Sequence, residues 1–109
     1  MIKVKFSETE RIIRVVVKNH AESVVCSAVS TLATGLKGTL LNYKHPFEVV
    51  KERDGYLEVK IYKDKDEKKN VILNVVINTI KISLLQLQMS YPKLLKVSSS
   101  KVDSLDTLP

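Results

Sequence analysis

The single thiol of the chain, Cys26, is its strongest candidate nucleophile, and His20 stands six residues upstream of it. A cysteine attacks a carbonyl as the thiolate, and an imidazole is the side chain suited to taking its proton near neutrality. Ser23 reads as the N-cap of a helix that runs to about Lys37. Cys26 then falls in the first helical turn, where unpaired backbone N–H groups and the positive end of the dipole favour a thiolate. Ser30, four residues on, places its hydroxyl above Cys26 on the same helical face. The loop that feeds the helix can turn the His20 ring back toward the sulfur. Cys26 also borders the apolar stripe of Val25 and Val29, so a small buried core residue is its other reading. The spacing alone leaves both open.

Other chemistry finds less support. His45 precedes Pro46 in a connection and reads as a surface loop histidine. His20, Cys26 and His45 match no zinc-ligand spacing, so neither a metal nor a cofactor is expected. Gly35-Leu36-Lys37-Gly38-Thr39 has the ingredients of a phosphate loop in the wrong order, and it closes a helix where such a loop opens one. No RNP-like aromatic motif or zinc finger occurs, and four Tyr with two Phe make no evident stacking platform.

The elements around these residues must come from 109 residues, enough for one domain with a single core at 44% apolar content. The formal charge is +6, yet only Arg11, Arg14 and Arg53 among the 18 basic residues are arginine. Arginine is the side chain that grips phosphate and base edges bidentately, so the charge implies attraction to something anionic without naming it. One cysteine forms no internal disulfide, and a reducing, cytoplasmic setting is expected. No apolar run exceeds three residues, from which neither a transmembrane helix nor a signal-peptide core is expected, and no membrane partner.

Alternation makes Met1 to Phe6 a strand, and Arg11 to Lys18, with Ile13, Val15 and Val17 inward and Arg14 and Lys18 outward, its hairpin partner. The helix from Ser23 follows, with Val25, Val29, Leu32 and Leu36 as its buried stripe. Phe47 to Arg53 and Tyr56 to Tyr62 flank Asp54-Gly55, a two-residue hairpin signal. Lys63 to Lys69 reads as a solvated connection. Val71 to Ser90 is rich in Val and Ile but too long for a strand, and period two fails at Asn74 and Asn78. It reads as a helix burying Ile72, Val76, Ile80, Leu84 and Leu87, with Leu73 and Ile77 beside them. Leu94 to Val97 is a last short strand. The expected fold is α+β, a single domain over residues 1–97. Its order is β-β-α-β-β-α-β, with two helices packed on one face of a small mostly antiparallel sheet. Residues 98–109 form a Ser-rich tail expected to be disordered.

The run from Val17-Lys18-Asn19-His20-Ala21 to Val24-Val25-Cys26-Ser27-Ala28-Val29-Ser30 resembles the ribosomal-processing cysteine protease family, Prp. That family carries Gly-His-Ala at a strand end, a loop, and a helix opening on a Cys-Ala-Ala-Val-Ser-like run. The opening Met1-Ile2-Lys3-Val4, the hairpin at Asp54-Gly55-Tyr56-Leu57 and the helix closing at Tyr91-Pro92 fit the same family. The resemblance implies an endopeptidase that removes a short N-terminal extension from ribosomal protein twenty-seven of the large subunit. By the resemblance Cys26 would be the nucleophile, His20 the general base and Ser30 a supporting residue; helix geometry, separately, offers the backbone N–H groups of the helix start to the oxyanion. It also implies a homodimer. The chain departs from the family at Asn19, where glycine is usual, at Ser23, where an acid is usual, and in a shorter loop before Cys26. The alternative is a noncatalytic ribosome- or RNA-associated binding protein that uses the positive surface, and a purely structural dimerisation domain stands behind it.

Overall fold

A computed structural model describes residues 1–101 of the chain. The order is β1 (Ile2–Glu8), β2 (Ile12–Lys18), α1 (Ser23–Asn42), β3 (Phe47–Arg53), β4 (Tyr56–Tyr62), α2 (Glu67–Ser90) and β5 (Leu95–Lys101). The five strands form one sheet in the order β3-β4-β2-β1-β5. Every pairing is antiparallel except β1 with β5, which α2 makes parallel by carrying the chain back across the sheet. The α+β fold, its element order and its mixed sheet are those expected from the sequence.

Alternation decides which face of each strand is covered. Ile2, Val4 and Phe6 of β1, Ile13 and Val15 of β2, and Val59 and Ile61 of β4 all point to the helices and are buried. From the helices, Val25, Val29, Leu36 and Leu40 of α1 meet Leu73, Ile77 and Leu84 of α2 above them. The opposite sheet face is left to solvent and to charged side chains.

Four features differ from the sequence reading, each for a physical reason. α1 runs through Gly38 to Asn42. A helical Gly costs about 1 kcal/mol, whereas burying Leu40 returns about 1.5–3 kcal/mol, so the helix continues. α2 begins at Glu67, inside the charged segment that reads as a connection, because the Asp66 side chain accepts the Lys68 N–H and caps it. Its buried face is turned from the expected one, leaving Leu73 at 3% exposure and Ile72 at 49%. With apolar residues at neighbouring positions, contact with α1 and the sheet selects between them. β5 reaches Lys101, so residues 98–101 lie in the sheet and not in a tail. Ser98, Ser99 and Ser100 pair with Lys5, Phe6 and Ser7, since main-chain pairing does not need apolar side chains. The rest of the expected tail, 102–109, lies outside the described residues.

Unbroken run length and average composition describe the two helices differently. By length and average composition both are apolar enough to cross a membrane, with mean hydropathies of 1.4 for α1 and 1.5 for α2. Polar residues such as Ser27, Thr31, Asn74 and Asn78 break the runs without lowering the average much. Both helices pack one face on the sheet.

Candidate active site

His20 lies in the short link between β2 and α1, and Cys26 lies near the start of α1. Asn19, just after β2, has φ of 74°, a left-handed conformation that asparagine tolerates better than most side chains. That bend turns the chain so that the Asn19 N–H donates to Gly55 O at 2.8 Å. The Met1 ammonium donates to His20 O at 3.3 Å. The histidine is therefore held by its backbone from two sides, although its ring is exposed.

The helix start differs from the sequence reading in one respect. Ser23 is the first residue of α1, the N-cap is Glu22, and no side chain caps the end. The Cys26 N–H makes the opening helical bond, to Glu22 O at 3.1 Å. The amides left without a helical partner by this geometry are those of Ser23, Val24 and Val25, not that of Cys26. Cys26 itself is half-buried and packs at the edge of the core. Its sulfur still faces outward, where the Ala21 N–H donates to Sγ at 3.5 Å.

His20 Nδ1 lies 3.9 Å from Cys26 Sγ. The other ring nitrogen, Nε2, lies 3.3 Å from Asp54 Oδ1 in the turn between β3 and β4. Beneath the ring is Gly55, with φ of +75°, and a Cβ there would stand 3.0 Å from Nε2. Glycine thus serves the turn conformation and the close approach of the imidazole together. Asp54 and Gly55 were legible as a hairpin turn only. Nothing in their spacing from His20 announces that the turn folds against the histidine.

These residues line one open cleft of about 320 Å³ between α1 and the β3–β4 hairpin. Ser30 lines it one turn beyond Cys26, with no side-chain hydrogen bond to either partner among the described residues. Lys37 closes the far end through an ion pair with Glu52 at 3.3 Å. Tyr56 forms part of the wall. Its hydroxyl donates to Glu58 Oε1 at 2.8 Å, and that bond to a carboxylate holds its pKa above the ordinary tyrosine value. His45 is elsewhere: its Nε2 is 2.6 Å from Tyr62 O, at the end of β4 away from the hairpin turn. It ties the α1–β3 connection to the sheet and takes no part in the cleft.

The sequence model of one protein family, cysteine protease Prp, matches residues 1–96. This chain belongs to the cysteine protease Prp family. A comparison with curated proteins found no match. Among solved structures, the essential ribosomal processing protease Prp from S. aureus, with a covalently linked product peptide, superposes with a TM-score of 0.76 at 15% identity. It covers 92% of this chain and 100% of that one. The same S. aureus protease with a substrate peptide gives 0.74 at 14% identity, with the same two coverages. SMU.848 from Streptococcus mutans gives 0.75 at 21% identity, over 94% of this chain and 96% of that one. At these identities the structures bear on the fold, which this Prp-family chain shares over most of its length.

Proposed function

We propose that this chain is an endopeptidase that removes a short N-terminal extension from ribosomal protein twenty-seven of the large subunit, with Cys26 as nucleophile and His20 as general base. One observation carries the reading: a single imidazole held between Cys26 Sγ and Asp54, in a chain of the Prp family. The S. aureus proteins of the same fold are described as a ribosomal processing protease and hold peptides.

The Asp54 carboxylate, 3.3 Å from Nε2, favours the proton on that nitrogen, which leaves the Nδ1 lone pair toward the thiol. Nδ1 takes the proton of Sγ, and the thiolate forms a C–S bond to the scissile carbonyl as the π pair moves onto oxygen. The amides of Ser23, Val24 and Val25 are the donors at hand for that oxyanion. The imidazolium returns its proton to the departing amine, the C–N bond breaks, and a thioester remains on Cys26. Water then attacks the thioester while Nδ1 takes its proton, and the thiol is regenerated. Ser30 supports the site from the next helical turn.

The same reading includes a homodimer in the reducing cytoplasm, where a free thiol persists. Val71, Val75, Asn78, Ile82, Leu85 and Met89 follow one another at alternating steps of four and three along α2, and all six are exposed. That is the seam spacing of paired helices, with one polar position of the kind that sets register.

The test is incubation with the host's own precursor at equal folded concentrations of wild type, Cys26→Ala and His20→Ala, read by intact mass. Wild type should release the N-terminal extension. Cys26→Ala should abolish release and His20→Ala should slow it severely, with the double variant little worse than either. Equal rates in all three would remove this site from the mechanism.

A further inference from the structure

The sheet face turned away from the helices carries an unbalanced row of charge. Register sets Lys18 of β2, Lys3 of β1 and Lys96 of β5 directly side by side. Neighbouring strands lie only about 4.8 Å apart. Lys5 follows Lys3 on the same face, and Arg14 pairs with Lys60 further along. Among the described strand residues, the acidic side chains on this face are Glu48 of β3, which pairs with Lys60 and accepts the Tyr62 hydroxyl, and Glu58. Glu58 is already engaged, 3.4 Å from Arg14 Nε and accepting the Tyr56 hydroxyl. Like charges placed directly opposite one another destabilise a sheet, and three lysines abreast compound that cost unless an anion covers them.

Tyr56 stands at the end of the lysine row as the cross-strand partner of Lys18. Lys18, Lys51 and Arg53 all lie 5.7–5.9 Å from its ring centroid. Lys3, Lys5, Lys18, Lys96 and Tyr56 line one shallow concavity. Ser98 is paired with Lys5 on the same face, and Ser7 with Ser100. We infer that this open sheet face binds single-stranded RNA. The lysine row takes consecutive phosphates, the Tyr56 ring takes an unpaired base, and the serine hydroxyls meet ribose 2′-hydroxyls. An acidic peptide supplies carboxylates in place of phosphates and no ribose 2′-hydroxyls, and a lipid headgroup supplies neither base nor ribose. The inference does not rest on the chemistry at Cys26, which lies on the helix side of the sheet, although Tyr56 at the sheet end borders both concavities.

The full chain is titrated with a fluorescent oligouridine while anisotropy is followed at several salt concentrations. Binding should weaken with salt at a log–log slope of about −2 to −3, as expected for three to four phosphates on a single strand. Lys3→Glu should lower affinity about tenfold or more, since it removes one phosphate contact and opposes its neighbours. The same substitution should raise the thermal midpoint, because the new carboxylate would stand between Lys18 and Lys96 as an opposite charge. Lys96→Gln, on the edge strand, should give a smaller loss and provides a second reading if Lys3→Glu fails to fold. Lys65→Glu, outside the sheet, should leave affinity nearly unchanged, and so should alkylation of Cys26. Absence of binding at low salt would overturn the inference. Equal loss with Lys65→Glu, equal affinity for oligothymidine DNA, or preference for phosphatidylserine vesicles would overturn it too.

Discussion

Asp54 and Cys26 occupy opposite nitrogens of one imidazole: Asp54 Oδ1 is 3.3 Å from Nε2 of His20, and Cys26 Sγ is 3.9 Å from Nδ1. In the proposed mechanism the carboxylate favours the tautomer whose lone pair points at the thiol. Its side chain is 98% exposed, so solvent screening limits what it contributes. Asp54→Asn should lower kcat for peptide cleavage by about two- to fivefold at low salt, with KM unchanged. The deficit should shrink as salt is added, because added ions screen the wild-type pair. A variant as fast as wild type at low salt would show that Asp54 does not position the ring.

Gly55 should matter beyond its turn. A methyl group there meets His20 Nε2 at 3.0 Å and sits on a left-handed backbone. Gly55→Ala is expected to cost roughly 1–2 kcal/mol of stability from the φ strain. It should also displace the imidazole, so that activity falls more than Asp54→Asn produces. Cleavage assayed well below the unfolding midpoint separates the two effects. Loss of stability with full activity would mean that the ring does not need its seat on the turn.

Acid stability offers a third check. The Asp66 N–H donates to Asp64 Oδ1 at 2.8 Å and holds the Asp64 carboxyl below its ordinary value. A carboxyl depressed in the folded state stabilises the fold above its unfolded pKa of about 3.9 and loses that contribution as pH falls through the folded value. Wild type should thus exceed Asp64→Asn in thermal midpoint at neutral pH, and the gap should close below about pH 3.9. A gap independent of pH would point to the amide geometry instead of the charge.

Val75→Glu tests the α2 seam. Val75 is 61% exposed in the single chain, so a charge there should fold without cost in a monomer. Paired across a seam, it would oppose its own copy. Sedimentation should show a dimer for wild type at micromolar concentration and a monomer for Val75→Glu. A wild-type monomer at that concentration would end the homodimer reading.

The strands and helices were legible because their signals are local. Period two in Ile2-Lys3-Val4-Lys5-Phe6 and in Leu57-Glu58-Val59-Lys60-Ile61 reports a half-buried strand wherever the strand ends up. Asp54-Gly55 reports a tight turn by its own backbone preference, and β3 and β4 flank it over the expected residues. Cys26 and His20 were visible as a pair because a single short loop separates them. The same locality explains the errors. Ile72 and Leu73 are neighbours with equal claim to burial, and only the position of α1 and the sheet chooses Leu73. Ser98 to Ser100 carry no apolar signal, and only the unpaired edge of β1 recruits them into β5.

What the amino-acid order determined by itself is the element series and the hairpin turns, because each depends on contacts within a few residues. Tertiary structure alone decided three things. It laid the Asp54-Gly55 turn under His20, it placed β5 parallel to β1, and it set Lys18, Lys3 and Lys96 abreast. Each is a meeting of segments far apart in sequence, fixed by strand register and by helices packing over one face of the sheet. Periodicity along a single segment carries no record of which distant segment will lie beside it.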